Sequence, residues 1–141
     1  MFVWRACHNL LPTRANLFKR KVITSPLCPV CNLVKESMEH IIWSCPSVAD
    51  VCSCGSRRIQ KSISGNRMFA NLFEEVFGHY DQQELETFVV VAWRIWMRRN
   101  EVVYGGAFID PKQLFVSAIS GLEEFQKFQV HRQYRCLHQG I

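Results

Sequence analysis

The chain has 141 residues, 48% apolar and 21% charged, a globular balance that excludes a disordered tail and leaves room for one domain or two very small ones. Its net charge of +5 is unevenly placed: residues 1–67 hold ten Lys or Arg against three acids, giving +7, and residues 68–141 hold seven against nine, giving −2. Seven cysteines in an odd, unevenly spaced set fit a disulfide framework poorly, and an N-terminal segment that does not read as a secretory signal leads to the expectation of reduced thiols in a soluble, intracellular protein, nuclear or cytoplasmic.

In chain order, residues 2–11 form an apolar segment stopped by Pro12, because the residue before a proline is disfavoured in the helical region. Thr13 is placed to cap a short helix over 14–21, with Leu17 and Phe18 inward and the basic residues outward. Ser25-Pro26 ends it and leads into a cysteine-rich stretch from Cys28 to Cys54, followed by a glycine-containing polar loop over 55–66. Met68, Phe69, Leu72, Phe73, Val76 and Phe77 then recur at helical spacing up to Gly78, which reads as the helix stop. Asp81 and Glu84 form a capping-box pattern opening a long helix to about residue 103. Its buried side is expected to carry Leu85, Phe88, Val89, Ala92, Trp93 and Trp96, and Gly105-Gly106 ends it. Pro111 after Asp110 starts a last helix to about residue 128, with Leu114, Ala118, Ile119, Leu122 and Phe125 as its stripe. The reading is a mainly α chain: a small cysteine-rich half with short helices over 1–54, a linker over 55–66, and three amphipathic helices over 67–141.

Cys28 and Cys31 stand two residues apart, and His40 and Cys45 follow in a Cys-x2-Cys-x8-His-x4-Cys pattern. Three thiolates and an imidazole at knuckle spacing suit one tetrahedral zinc ion, with Cys28, Cys31, His40 and Cys45 as ligands. Ser37 is placed to cap a short helix presenting His40, with Cys45 near its end. A thiol redox pair at Cys28 and Cys31 is the competing reading, and Cys52 or Cys54 is close enough to replace Cys45. Cys7 and Cys136 read as small buried hydrophobes. A closed four-ligand site leaves no position for substrate, so the expected role is structural and not enzymatic.

Two-metal catalysis needs clustered carboxylates, whereas Asp50, Asp81 and Asp110 lie far apart. The pairs Glu74-Glu75 and Glu123-Glu124 read as solvated helix faces. No acid precedes Glu36, and a one-signed basic field favours a polyanion, although it also fits a solubilising face. The candidate nucleic-acid contacts, to RNA or DNA, are Arg14, Lys19, Arg20, Lys21, Lys35 and Trp43. Trp4, Trp93 and Trp96 lie in apolar segments and are expected in the core. Arg94, Arg98 and Arg99 either grip phosphate or serve their own helix, by pairing with its acids or with its negative C-terminal end. The longest apolar run, over 88–97, is broken by Arg94 and is far shorter than the roughly 20 residues of a membrane span.

The run from Trp4 through Leu11-Pro12-Thr13-Arg14, then Leu17, Cys28-Pro29-Val30-Cys31, Glu36 to His40, Cys45-Pro46 and Val51 resembles the reverse-transcriptase zinc-binding domain of plant non-LTR (LINE-type) retroelements. The resemblance covers about residues 2–52. More loosely, the stretch from Trp93 to Phe125 is similar to the spacer that precedes an RNase H-like domain in such polyproteins. It implies one structural zinc on Cys28, Cys31, His40 and Cys45, no catalytic residue, and a neighbouring reverse transcriptase or RNase H-like domain as partner in a parent protein of which this chain is a middle piece. At position 52, where the family commonly has Trp, the chain has Cys52. Alternative roles are a protein-interaction module, a non-functional fragment, or a thiol oxidoreductase.

Overall fold

The computed structural model describes residues 2–53 and 68–138; the predicted loop over 55–66, Cys54, and the side chains of Cys52 and Cys136 lie outside what it describes. Among the described residues, six α-helices and one π-helical turn follow in order: α1 (Phe2–Cys7), α2 (Arg14–Lys19), the π-turn (His40–Ser44), α3 (Pro46–Ser53), α4 (Phe69–His79), α5 (Gln82–Val103) and α6 (Pro111–His138). Among the described residues the only β-type pairing is an isolated antiparallel bridge between Leu27 and Lys35. The chain is mainly helical, with the cysteine-histidine cluster in its N-terminal half.

Local signals set most helix ends. Thr13 Oγ1 accepts from the Asn16 amide at 3.2 Å to open α2, and Asp81 Oδ1 accepts from the Glu84 amide at 2.8 Å to open α5. At the end of α5, Gly105 takes φ +80°. Gly105 N donates to Val102 O at 3.2 Å and Gly106 N to Glu101 O at 2.7 Å, the paired bonds of a Schellman stop. Gly78, in contrast, is not a stop: α4 continues to His79 and ends at Tyr80, which has an extended backbone. Helix α1 ends at Cys7, ahead of the proline, where Asn9 turns left-handed at φ 54°. Helix α6 runs ten residues past the expected end, to His138.

Among the described residues one hydrophobic core links Ala6 of α1, Met38, Ile41, Ile42, Val48 and Val51 around the π-turn and α3, Phe69 and Val76 of α4, Phe88, Ala92, Ile95 and Trp96 of α5, and Leu114 of α6. Helices α5 and α6 form an antiparallel hairpin, pinned by Arg98 Nη1 to Ile109 O at 3.5 Å near the connection and by Gln126 Nε2 to Gln83 Oε1 at 3.0 Å far from it. The π-turn packs on α5, α3 against α6, and α1 against α4.

Several apolar stripes are narrower than their periodicity predicts. Phe18, Met68, Phe77 and Phe125 are exposed, and so are two tryptophans expected inside, Trp4 at 54% and Trp93 at 37%. Trp96 is buried as expected. The outer residues of each stripe extend beyond the contact arc that one neighbouring helix covers.

Candidate metal centre

The first two ligands come from a knuckle closed by its own backbone. Cys28 N donates to Val34 O at 2.8 Å and Asn32 N to Cys28 O at 2.9 Å, while Asn32 adopts a left-handed φ of 56°, a conformation that asparagine tolerates. The amides of Val30 and Cys31 point at the Cys28 sulfur, and those of Leu33 and Val34 at the Cys31 sulfur.

The third and fourth ligands come from the π-turn. Ser37 Oγ accepts from the His40 amide at 3.2 Å, as the capping reading expected. The turn that follows is not α-helical. Cys45 N donates to His40 O, five residues back, at 2.8 Å, and Cys45 leaves with an extended backbone. In an α-helix, residues five apart diverge by about 140° around the axis, so His40 and Cys45 would face away from each other. The wider turn lets them face one point, in keeping with the association of π-bulges with functional sites.

One ligand atom from each of Cys28, Cys31, His40 and Cys45 lies within 4.8 Å of all the others, and these four residues can hold a metal ion. The Cys31 Sγ to His40 Nε2 edge is 3.3 Å; a tetrahedron with zinc-like bonds of about 2.0 to 2.3 Å has edges of about 3.3 to 3.8 Å, so this edge and the donor chemistry suit that ion. Ser47 Oγ lies 3.1 Å from Cys45 Sγ, a hydrogen bond that steadies the fourth ligand.

Burial pushes the Cys28 thiol up to about 12, and the neighbouring Cys45 adds to this against the opposing pull of the knuckle amides. At Cys31 burial also raises the value, but the Leu33 and Val34 amides and hydrogen bonds from Cys28 and Cys45 outweigh it and hold the thiol below its ordinary value. Burial lowers the His40 pKa, with Glu36 opposing it; a neutral imidazole is the metal-ligating form.

Behind the site, Glu36 is fully buried. Its carboxylate accepts from Arg99 Nε at 3.0 Å and Arg99 Nη2 at 2.6 Å, and from the Arg14 amide at 2.7 Å. Arg98 Nη2 donates to Ser47 O at 3.1 Å. Arg98 and Arg99 are both buried. Their guanidinium groups reach from α5 into the cysteine-bearing half, to Ser47 and Glu36. A void of about 10 Å³ is lined by Cys28 and Cys45 together with Glu36, Ile95, Arg98 and Arg99 among others. Glu39 works similarly, accepting from the Phe69 amide at 2.6 Å to cap α4. Sequence reasoning gave Glu36 and Glu39 no such roles. The available hint was that Glu36 ends an acid-free stretch.

The candidate nucleic-acid residues differ in exposure. Lys19, Arg20, Lys21 and Lys35 are exposed, Arg14 is half-buried, and Trp43 is half-buried against the core with its ring 6.4 Å from Phe88. Arg94 lies beside Gly121 of α6 with its Nε buried and unpartnered among the described residues.

Residues 1–51 match the family model for zinc-binding in reverse transcriptase. No curated protein and no solved structure gives a significant match to the chain. The match contains all four clustered residues, which is consistent with zinc as the ion. Among the described residues no helix is long and apolar enough to cross a membrane.

Proposed function

We propose that the chain is a non-catalytic, structural zinc module of a LINE-type retroelement reverse transcriptase, with its basic half contacting nucleic acid and its helical half serving as a spacer toward a neighbouring domain. The observation that carries this reading is the convergence of Cys28, Cys31, His40 and Cys45 on one point within the stretch that matches the reverse-transcriptase zinc-binding family. Four donors complete a tetrahedral shell and leave no position for water or substrate. Zinc, when bound, supplies charge neutralisation and crosslinking. The chain's own residues position the ligands through the knuckle amides, Ser37 and Ser47.

Native mass spectrometry with and without chelator tests the first part: one zinc per chain is expected, and a chain that keeps no metal overturns it. Binding of labelled RNA or DNA at increasing salt tests the second, because phosphate contacts weaken as counterions compete. Binding that ignores salt removes nucleic acid from the reading.

A protein-interaction role is the second reading, favoured by an apolar groove of about 420 Å³ between α1 and the α5–α6 hairpin, lined by Phe2, Leu85, Val89, Trp93, Leu122 and Phe125 among others. Self-association that rises with concentration, without retention on nucleic acid, supports that reading over the first.

A further inference from the structure

Trp4 is the most exposed of the four tryptophans, at 54%. It is held in place and is not a loose surface ring. The His8 ring lies against the indole with centroids 4.4 Å apart and planes 30° from parallel, and His8 Nδ1 donates to the Trp4 carbonyl oxygen at 2.8 Å. This contact fixes the imidazole beneath the indole, while about half of the Trp4 surface faces solvent. An isolated exposed aromatic needs no explanation; an aromatic pair held rigid inside a field of one sign does.

That field is assembled by the corner in which α1 turns into α2. Asn16 Nδ2 donates to Asn9 Oδ1 at 2.9 Å, Asn9 O at 3.1 Å and Leu11 O at 2.9 Å, clasping α2 to the residue that follows His8. Arg20 caps the end of α2, its amide donating to Asn16 O at 3.1 Å, with Lys19 and Lys21 beside it in the chain, all three exposed. Arg5, next to Trp4, is exposed as well. Lys35 precedes Glu36, whose carbonyl accepts from the Ala15 amide at 3.0 Å, so it flanks the opposite end of α2. Among the described residues none of these five cations is paired with a carboxylate, and no acid precedes Glu36 in the chain.

We infer that this corner binds single-stranded nucleic acid, one unpaired base stacking on Trp4 over His8 while flanking phosphates meet Arg5, Arg20 and the neighbouring lysines. The inference rests on the nucleic-acid reading above and specifies the form of the ligand. Charge complementarity selects a polyanion. The platform selects unpaired bases, since a duplex keeps its base faces stacked and presents only edges in its grooves. The role foreseen for Trp43 passes to Trp4, because Trp43 is engaged with Phe88 and the core.

The test uses the zinc-loaded full chain and a labelled mixed-sequence oligonucleotide, single-stranded and as its duplex, followed by fluorescence anisotropy at several salt concentrations. The unaltered protein is expected to prefer the single strand. Trp4→Ala should weaken single-strand binding by about 5- to 100-fold, the range of losing one stacked base, with the duplex affinity and the salt slope unchanged. Trp4→Phe, which keeps a ring and guards against a folding artefact, should retain most of the affinity. Arg20→Ala should instead reduce the salt slope by about one. Salt-sensitive binding that prefers duplex, or that is equal in Trp4→Ala and the unaltered chain, overturns this inference and leaves the broader reading intact. No salt-sensitive binding to any form defeats the broader reading and this one with it.

Discussion

Glu36 ties its own segment to two helices through one carboxylate, which accepts from the Arg14 amide at the start of α2 and from both Nε and Nη2 of Arg99 on α5. Both charged groups are out of water, so the attraction has to offset two desolvation costs, and a matched apolar pair would hold the fold about as well. Removing one partner is different, because the other stays buried and uncompensated. Glu36→Gln or Arg99→Leu is therefore expected to cost about 3 to 5 kcal/mol, measured as a lower urea midpoint with zinc present. The Glu36→Leu, Arg99→Leu double variant should lose less than the two single losses combined. Single losses near about 0.5 kcal/mol, the scale of an ordinary surface change, would show that the pair carries no weight. At the metal centre, a Cys28 thiol pushed up to about 12 by burial stays protonated near neutral pH until a metal arrives. Zinc binding should then release protons, seen as a calorimetric heat that changes with the ionisation enthalpy of the buffer. Because protons compete with the ion for the same sulfur, affinity should fall as pH falls; a heat independent of buffer would contradict the thiol state inferred for Cys28.

Among the elements, those whose determinants are local were legible in the sequence. Thr13, Ser37 and Asp81 each accept from an amide three residues on, and the Gly105 stop follows from one left-handed residue. The π-turn was not legible: Ser37 and Cys45 mark its ends, but nothing in Ile41-Ile42-Trp43 distinguishes a turn closed over five residues from one closed over four. The long-range ties were hidden for a plainer reason, since Glu36 and Arg99 are 63 positions apart and no periodicity links them. Trp4 and Trp93 failed because an apolar neighbourhood in sequence says nothing about which arc of a helix a neighbour covers. Glu39 belongs with the hidden ties, capping α4 from 30 residues away where Met68 offers no side-chain cap of its own. Glu39→Ala should cost about 1 kcal/mol, the usual worth of a helix cap, with unaltered zinc stoichiometry. A loss of zinc in that variant would mean that Glu39 supports His40 and not only α4.

At the scale of the molecule, the metal ligands and the helices share one core, since Cys28 and Cys45 are buried in the same cluster as Phe88, Ile95, Trp96 and Leu114. Arg98 and Arg99 fasten α5 to the same half through Ser47 and Glu36. Any ion that binds the folded cluster and not the unfolded chain therefore stabilises α5 and α6 as well as the knuckle. At a free zinc concentration about 100 times the dissociation constant, the gain is about 2.7 kcal/mol, which corresponds to roughly 5 to 15 °C in Tm for a chain of this size. Far-UV circular dichroism reports mainly α5 and α6, the two longest described helices at 22 and 28 residues, neither of which carries a residue of the Cys28, Cys31, His40 and Cys45 cluster. Melting followed by this signal should show one transition that moves up with zinc and down with chelator. Two transitions, with only the minor one responding to zinc, would mean that the helices fold independently of the cysteine cluster and that the Glu36–Arg99 tie does not couple them.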